Sequence, residues 1–333
     1  MYNNSSNQAG KKKLPIAMFI VVSLLLLIII NTDKTINKKT VQQKEDIALV
    51  FARPIGAMLN SLEMDIKVEF LSINDGCPIH SNVGLQNNSI KSIQNAKWVI
   101  GLFPKSSLLI EKSKKHFGLK YINLLCANGR NDLKLNDHFW VSPMATKRVM
   151  VFLYNALRKD IPPTVLNTSQ EKGKNFTKQQ NAVNKAINTL NEIDKKIRGQ
   201  LKNCNNPVFD IDGAIVQFAD DYDINYKGQI LHKDGKINYK IIEEIRKTHN
   251  NICILADSSH YKNIDNTTLS WLRHINDDKI EIKLIDIDGR SIKIEDGLQG
   301  YVLFTNNLLQ NIEQCICRED KAEQATITQA PKR

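Results

Sequence analysis

Short apolar runs separated by polar stretches marked with Gly, Pro and Asn recur from residue 47 to residue 157. Residues 47–51 (IALVF) read as a buried strand ended by Arg53 and Pro54, 55–63 as a short helix, and 66–73 as a second strand. A loop over 74–83 carries Cys77, Pro78 and His80. Then follow a helix ending near Ala96, a strand over 98–103, a helix from Lys105 and a strand over 119–125. Strands alternating with helices at this interval predict a mostly parallel sheet with helices on both faces and functional loops at the carboxyl ends of the strands. His80 and His138 both fall in such loops.

The stretch 136–143, NDHFWVSP, places His138 just before a marked helix start. Ser142 can cap the free N–H groups of the following helix, Pro143 suits its first position, and Ala145, Val149, Phe152, Leu153 and Leu157 recur on one helical face. His138 is thereby held at the mouth of a rigid element. By itself, a lone histidine beside Phe139 and Trp140 fits a packing role as well as a ligand, so it needs partners.

Pro162-Pro163 and the polar stretch 167–174 interrupt the pattern. From 176 to 201, Ala182, Val183, Ala186, Ile187, Leu190, Ile193, Ile197 and Leu201 follow the helical period, which predicts a helix of about 39 Å, long enough to join two lobes. A coiled-coil dimer is the competing reading of a stripe only about three heptads long. Beyond Pro207 the alternation resumes, with strands at 208–211, 252–256 and 280–285 and helices from Gly213, from Tyr239 and from Gly300 to about Cys315. The resulting division is a basic tail (1–13), a signal or anchor (14–30), a linker (31–45), an N-terminal α/β lobe (46–160), a linker with the long helix (161–203), a C-terminal α/β lobe (204–317) and a polar, disordered tail (318–333).

Composition changes this picture in two places. The net charge of +11 suggests nucleic acid, but residues 1–40 hold six Lys against one Asp and account for +5 of it. The remaining +6 is spread over 293 residues without an Arg-rich or aromatic-interleaved patch, so nucleic acid is discounted. Lys11, Lys12 and Lys13 precede an apolar run over 14–30, broken only by Ser23, which reads as an export signal. With no Ala-x-Ala site and no lipid-attachment Cys after it, an uncleaved anchor with the body outside is expected, a cleaved signal being the alternative. Export makes the six cysteines informative, because disulfides persist outside the cytosol, and six allow fifteen pairings.

Several stretches together resemble one family, the extracytoplasmic zinc- and manganese-binding proteins of ABC uptake systems (ZnuA/TroA-like). FARPIGAMLN is similar to the family's first strand and helix, CPIH to its proline-histidine loop, and IQNAKWVIGLFPKSSLLIEK to the approach to its third strand and helix. NDHFWVSP is similar to the D-P-H-x-W-x-x-P motif, and CILAD and LIDIDG fall where C-lobe strands end. The resemblance spans roughly residues 47–317, with no single motif intact. It implies two α/β lobes, each with a mostly parallel sheet, bridged by one long interlobe helix, with one Zn2+ or Mn2+ in the cleft and a membrane permease as partner. Carried over by position, the metal ligands are His80 and His138 from the N-lobe and Asp212 and Asp286 from the C-lobe, a closed set suited to a divalent transition metal. The resemblance further implies a C-lobe disulfide between Cys253 and either Cys315 or Cys317.

The chain departs from the motifs at several points. Asn136 and Asp137 replace Asp-Pro, Asp212 stands where zinc-binding members have a third histidine, Asp257 replaces a glutamate and Ile287 a proline. His80 requires a one-residue loop insertion, and the histidine-rich loop of many zinc members is absent. Carboxylate for imidazole shifts preference towards manganese, whereas Cys77 could add a soft ligand for zinc, although a disulfide partner is the plainer role. A metal-free descendant of the fold, anchored to the membrane as an interaction module, is the alternative.

VFDIDGAI is also similar to the nucleophile motif of haloacid-dehalogenase-type phosphatases. There Asp210 would attack phosphorus, Asp212 would act as acid and base, and Asp277 and Asp278 would hold Mg2+. Against that reading, Ala214 replaces the usual Thr and His80 and His138 stay unexplained. His116, His232, His249 and His274 sit in charged segments and read as surface residues; His260, three residues after Asp257, could reach a cleft, a solvated loop being the better reading. No serine elbow, phosphate loop or paired CxxC occurs, so capture rather than catalysis is expected.

Overall fold

The computed structural model describes residues 46–71, 87–102, 118–124, 135–159, 169–232, 235–248, 251–258 and 279–317, with backbone alone for 87–90 and 169–175. The expectations for 1–45, the helix from Lys105 and the tail from 318 lie outside these residues. So do those for Cys77, His80, His116, His249, His260, His274, Asp277 and Asp278.

Two parallel four-stranded sheets form the frame. The first holds β1 (Ile47–Val50), β2 (Lys67–Phe70), β3 (Trp98–Gly101) and β4 (Lys120–Asn123) in the order β2-β1-β3-β4. The second holds β5 (Val208–Asp210), β6 (Tyr226–Gln229), β7 (Ile252–Asp257) and β8 (Ile280–Ile285) in the order β6-β5-β7-β8, the same topology again. Sequence reasoning missed β6. Tyr-Lys-Gly-Gln is a polar edge strand, its pairing register slips at Val208/Phe209, and Gly228 holds φ +136°, so neither apolar alternation nor β propensity marks it.

Strand side chains alternate between two environments, as the pleat requires. Ala48, Val50, Val208, Cys253 and Leu255 face one large cluster, whereas Ile47, Leu49 and Val99 on the first sheet, and Phe209, Ile252 and Ile254 on the second, feed smaller clusters on the outer faces. The large cluster runs through both halves. This differs from a core for each lobe, and the helices explain it.

These helices are α1 (Arg53–Asn60), α2 (Asn87–Asn95), α3 (Pro143–Arg158), α4 (Ser169–Leu201), α5 (Val216–Tyr222), α6 (Tyr239–Lys247) and α7 (Gly297–Ile316). α1 is buried from Pro54 to Leu59 and packs on α7, which belongs to the other half. Gly56 lies against the turn that precedes α7, where a Cβ would fall 2.7 Å from Ile294 Cδ1. The 33-residue α4 is longer than its apolar stripe, and it lays Val183, Ala186, Leu190, Ile193, Ile197 and Leu201 into the shared core against α3 and α7.

Two disulfides fasten the end of α7. Cys315 pairs with Cys253 on the central strand β7, and Cys317, the C-cap residue, pairs with Cys204 just beyond α4. Among the described residues no helix is long and apolar enough to cross a membrane; the run 14–30 lies outside them.

Candidate metal centre

The NDHFWVSP stretch folds as a tight turn, a single 3-10 turn over Phe139–Val141, and then α3. Ser142 accepts the N–H of Ala145 and Pro143 opens the helix, so local sequence alone sets this geometry. His138 sits at the start of the 3-10 turn with its side chain 3% exposed, edge-on to the Trp140 ring at 5.3 Å.

Its partner comes from the other half. His138 Nε2 lies 3.2 Å from Oδ1 of Asp288, whose side chain is 9% exposed. The second Asp288 oxygen meets Arg290 Nη2 at 3.4 Å. Around this pair the backbone after β8 is clamped. Trp140 Nε1 donates to the Ile287 carbonyl at 2.8 Å, while Asp257 Oδ2 accepts the N–H groups of Ile287 (2.8 Å) and Asp288 (3.0 Å). Gly289 follows with φ +67° against Pro54, where a Cβ would fall 2.5 Å from Pro54 Cγ, so the turn requires glycine.

Asp286, the carboxylate assigned from the motif, faces a different task. Its oxygens accept the N–H groups of Arg290 (2.8 Å) and Ser291 (2.7 Å), closing the turn on itself. Asp212 is half-buried in the turn after β5, beside Gly213 at φ +85°. His80 lies outside the described residues. The structure thus brings His138 to the turn 286–289, and among the described residues no three His, Cys, Asp or Glu side chains converge on one point. Asp288 was missed by sequence reasoning, although Asp-Ile-Asp after an apolar strand could have flagged it; Asp257 was noted there only as the replacement for a family glutamate at the end of CILAD, with no role assigned.

Asp210 is a third kind of carboxylate. It is 0% exposed and accepts N–H groups from Gly213 and Ile215, both at 3.1 Å, and the Tyr226 hydroxyl at 2.8 Å. Burial, assisted by the charge of Asp212, lifts its pKa to about 7 against the pull of those three donors. Burial and the Asp210 charge also raise the Tyr226 hydroxyl. A sealed carboxylate already engaged by three donors cannot attack a phosphoryl group, which removes the nucleophile from the phosphatase reading.

Because the folded-state pKa is raised, the folded protein binds a proton that the unfolded chain releases near pH 4. The stabilisation is complete below pH 4 and is lost as pH rises through about 7. Metal-free protein is therefore expected to lose a few kcal/mol more between pH 4 and pH 8 than Asp210→Asn, which cannot ionise. Urea unfolding of both proteins across that range measures the difference, and parallel curves would contradict it.

This architecture, two parallel α/β halves with a long connecting helix, is the fold of solved metal-binding solute-binding proteins. No protein-family model matches the chain, and no curated protein matches it. Among solved structures, a ZnuA deletion mutant with zinc bound superposes with a TM-score of 0.60 at 14% identity, covering 83% of this chain and 100% of that one. The solute-binding protein FpvC from Pseudomonas aeruginosa in complex with Mn2+ gives 0.61 at 12% identity over 82% and 99%. AdcAII of Streptococcus pneumoniae gives 0.57 at 15% identity over 81% and 100%.

Proposed function

We propose that this protein is an extracytoplasmic binding protein for a divalent transition metal, zinc or manganese. It captures the ion between its two halves and delivers it to the permease of an ABC-type uptake system, with no catalytic step. The observation that carries this reading is the buried contact of His138 with a carboxylate from the opposite half. An imidazole nitrogen and a carboxylate oxygen are the donors such an ion takes. His138 Nε2 and Asp288 Oδ1 are in direct hydrogen-bond contact at 3.2 Å, so the two donor atoms sit side by side across the halves. His80 and Asp212 are proposed to complete the set, together with a carboxylate of the turn after β8, where the motif assigns Asp286. Export agrees with the two disulfides, and residues 14–30 are proposed as the signal or inner-membrane anchor that leaves the body in the periplasm.

One observation favours a second reading, a metal-free interaction module. Direct hydrogen bonds apart from the His138–Asp288 contact join the halves. Arg53 donates to the Ile292 carbonyl, Asn60 to those of Ile294 and Glu295, and the Gln217 side chain accepts the Asn136 N–H.

Metal content and melting temperature with and without Zn2+ and Mn2+ separate the two. At a hundredfold excess of ion over Kd the bound form gains about 2.7 kcal/mol, a melting-temperature rise of roughly 5–10 °C, which His138→Ala should abolish. No rise with either ion would remove the carrier reading and leave the interaction module.

A further inference from the structure

We infer that the paired outer faces of α3 and α4 form a membrane-contact surface for anionic phospholipid. Headgroup phosphates meet Lys147, Arg148 and Arg158, and acyl chains seat on Val151, Phe152 and Ile187. This surface is separate from the candidate metal centre, and the inference stands whether or not an ion binds there.

Antiparallel packing of the two helices assembles it. At one end Lys147 Nζ donates to Asn191 Oδ1 at 2.8 Å, and at the other the Arg158 guanidinium lies 4.3 Å from the centre of the Phe176 ring. The two cations stand roughly 16 Å apart along α3. Between them runs an open trough of about 540 Å3 lined by Lys147, Arg148, Val151, Phe152 and Ile187. Val151 is 36% and Phe176 38% exposed. Single exposed apolar side chains are ordinary, but a contiguous apolar trough rimmed by charge marks an interaction site.

The charge of this face says what covers it. Over residues 143–158 and 176–191 the helices carry Lys147, Arg148, Arg158, Lys178 and Lys185 and no Asp or Glu. Among the described residues, acids from elsewhere meet two of these five. Glu63 lies 3.2 Å from Lys178, and Asp221 reaches Arg148 at 3.9 Å with an oxygen that already accepts Ser142 and Gln217. Arg148 Nε is buried without a hydrogen-bond partner among the described residues. A second copy docking by the same face would set this basic surface against itself. Nucleic acid would leave the apolar floor unmatched. Anionic phospholipid supplies both parts, an acidic headgroup for the cations and hydrocarbon for the floor, while the Lys and Arg stems lie along the apolar surface.

The test is hydroxyl-radical footprinting of the full chain with vesicles of mixed phosphatidylglycerol and phosphatidylcholine, or of phosphatidylcholine alone. On the anionic vesicles oxidation of Val151, Phe152 and Phe176 should slow several-fold, and added salt should reverse it; on phosphatidylcholine it should not change. Tyr239 and Leu303, 74% and 61% exposed on other helices, should keep their rates. Lys147→Gln combined with Arg158→Gln should shift the ratio of seated to free face about thirtyfold towards free, at roughly fivefold per charge. Val151→Asp should also lose the protection, and both variants should melt near wild type without vesicles. Equal slowing on both vesicles, none on either, or the same slowing at Tyr239 and Leu303 overturns the inference. So does slowing that appears without lipid and grows with protein concentration, the mark of a second copy. Slowing by poly-glutamate and not by anionic vesicles overturns it in favour of an acidic protein segment. If residues 14–30 insert, the chain sediments with both vesicles, so sedimentation reports the anchor and the footprint reports the face.

Discussion

Replacing Cys253 and Cys315 together with serine is expected to lower the unfolding free energy by about 4 kcal/mol, on the order of 10 °C in melting temperature. The bridge closes a loop of 62 residues, and chain-entropy arguments assign a crosslink of that span about 4 kcal/mol. Both sulfurs lie inside the core, Cys253 at 0% and Cys315 at 2% exposure, so the variant also seats two hydroxyls among apolar neighbours. The bridge joins a central strand to the last helix, and without it α7 retains packing but loses its covalent tether to the second sheet. Cys204–Cys317 spans 113 residues and is half-buried. A graded reductant should open it first, because thiolate attack needs access to a sulfur. Thiol labelling with mass spectrometry checks the order, and early release of Cys253 and Cys315 would contradict it.

Trp140→Ala is expected to cost about 4–5 kcal/mol, at the upper end for a buried aromatic. The indole is 2% exposed, packs on both His138 and Phe139, and lies in the core shared by the halves. Truncation leaves a cavity and also strips the Ile287 carbonyl of its 2.8 Å donor. Trp140→Phe separates the two contributions. It refills most of the space without the N–H, so it should recover the larger part of the stability while the turn carrying Asp288 stays loosened. Chemical denaturation of the three proteins measures the first effect, and metal affinity of Trp140→Phe measures the second. Equal stability of Trp140→Phe and Trp140→Ala would show that the hydrogen bond, and not the packing, dominates.

Much of this architecture is written in local pattern. The runs around Ile47, Trp98, Ile252 and Ile280 are short, apolar and bounded by breakers, and each is a parallel strand. Ser142 and Pro143 announce the start of α3, and the stripe from Ala182 to Leu201 announces α4, because capping and helical periodicity depend only on residues a few positions apart. β6 was not legible, since an edge strand of Tyr-Lys-Gly-Gln owes its conformation to pairing with β5 rather than to its own composition.

The candidate site divides in the same way. His138 is visible in the sequence because the loop and cap that hold it are contiguous with it. Its partner is not, since Asp286 and Asp288 are equivalent as letters and 150 residues separate the histidine from Asp288. Choosing between them took an indole from one half and Asp257 from the end of another strand, closing on one peptide from opposite sides. Likewise the six cysteines mark a crosslinked protein, but only the approach of β7 and the end of α4 to the end of α7 pairs Cys253 with Cys315 and Cys204 with Cys317. By itself the sequence determined the elements, their alternation and the imidazole, because near-neighbour sterics, capping and periodicity dictate those. Only the tertiary structure decided which carboxylate meets that imidazole, which cysteines pair and that one core serves both halves, because each depends on contacts between segments that burial brings together across the fold.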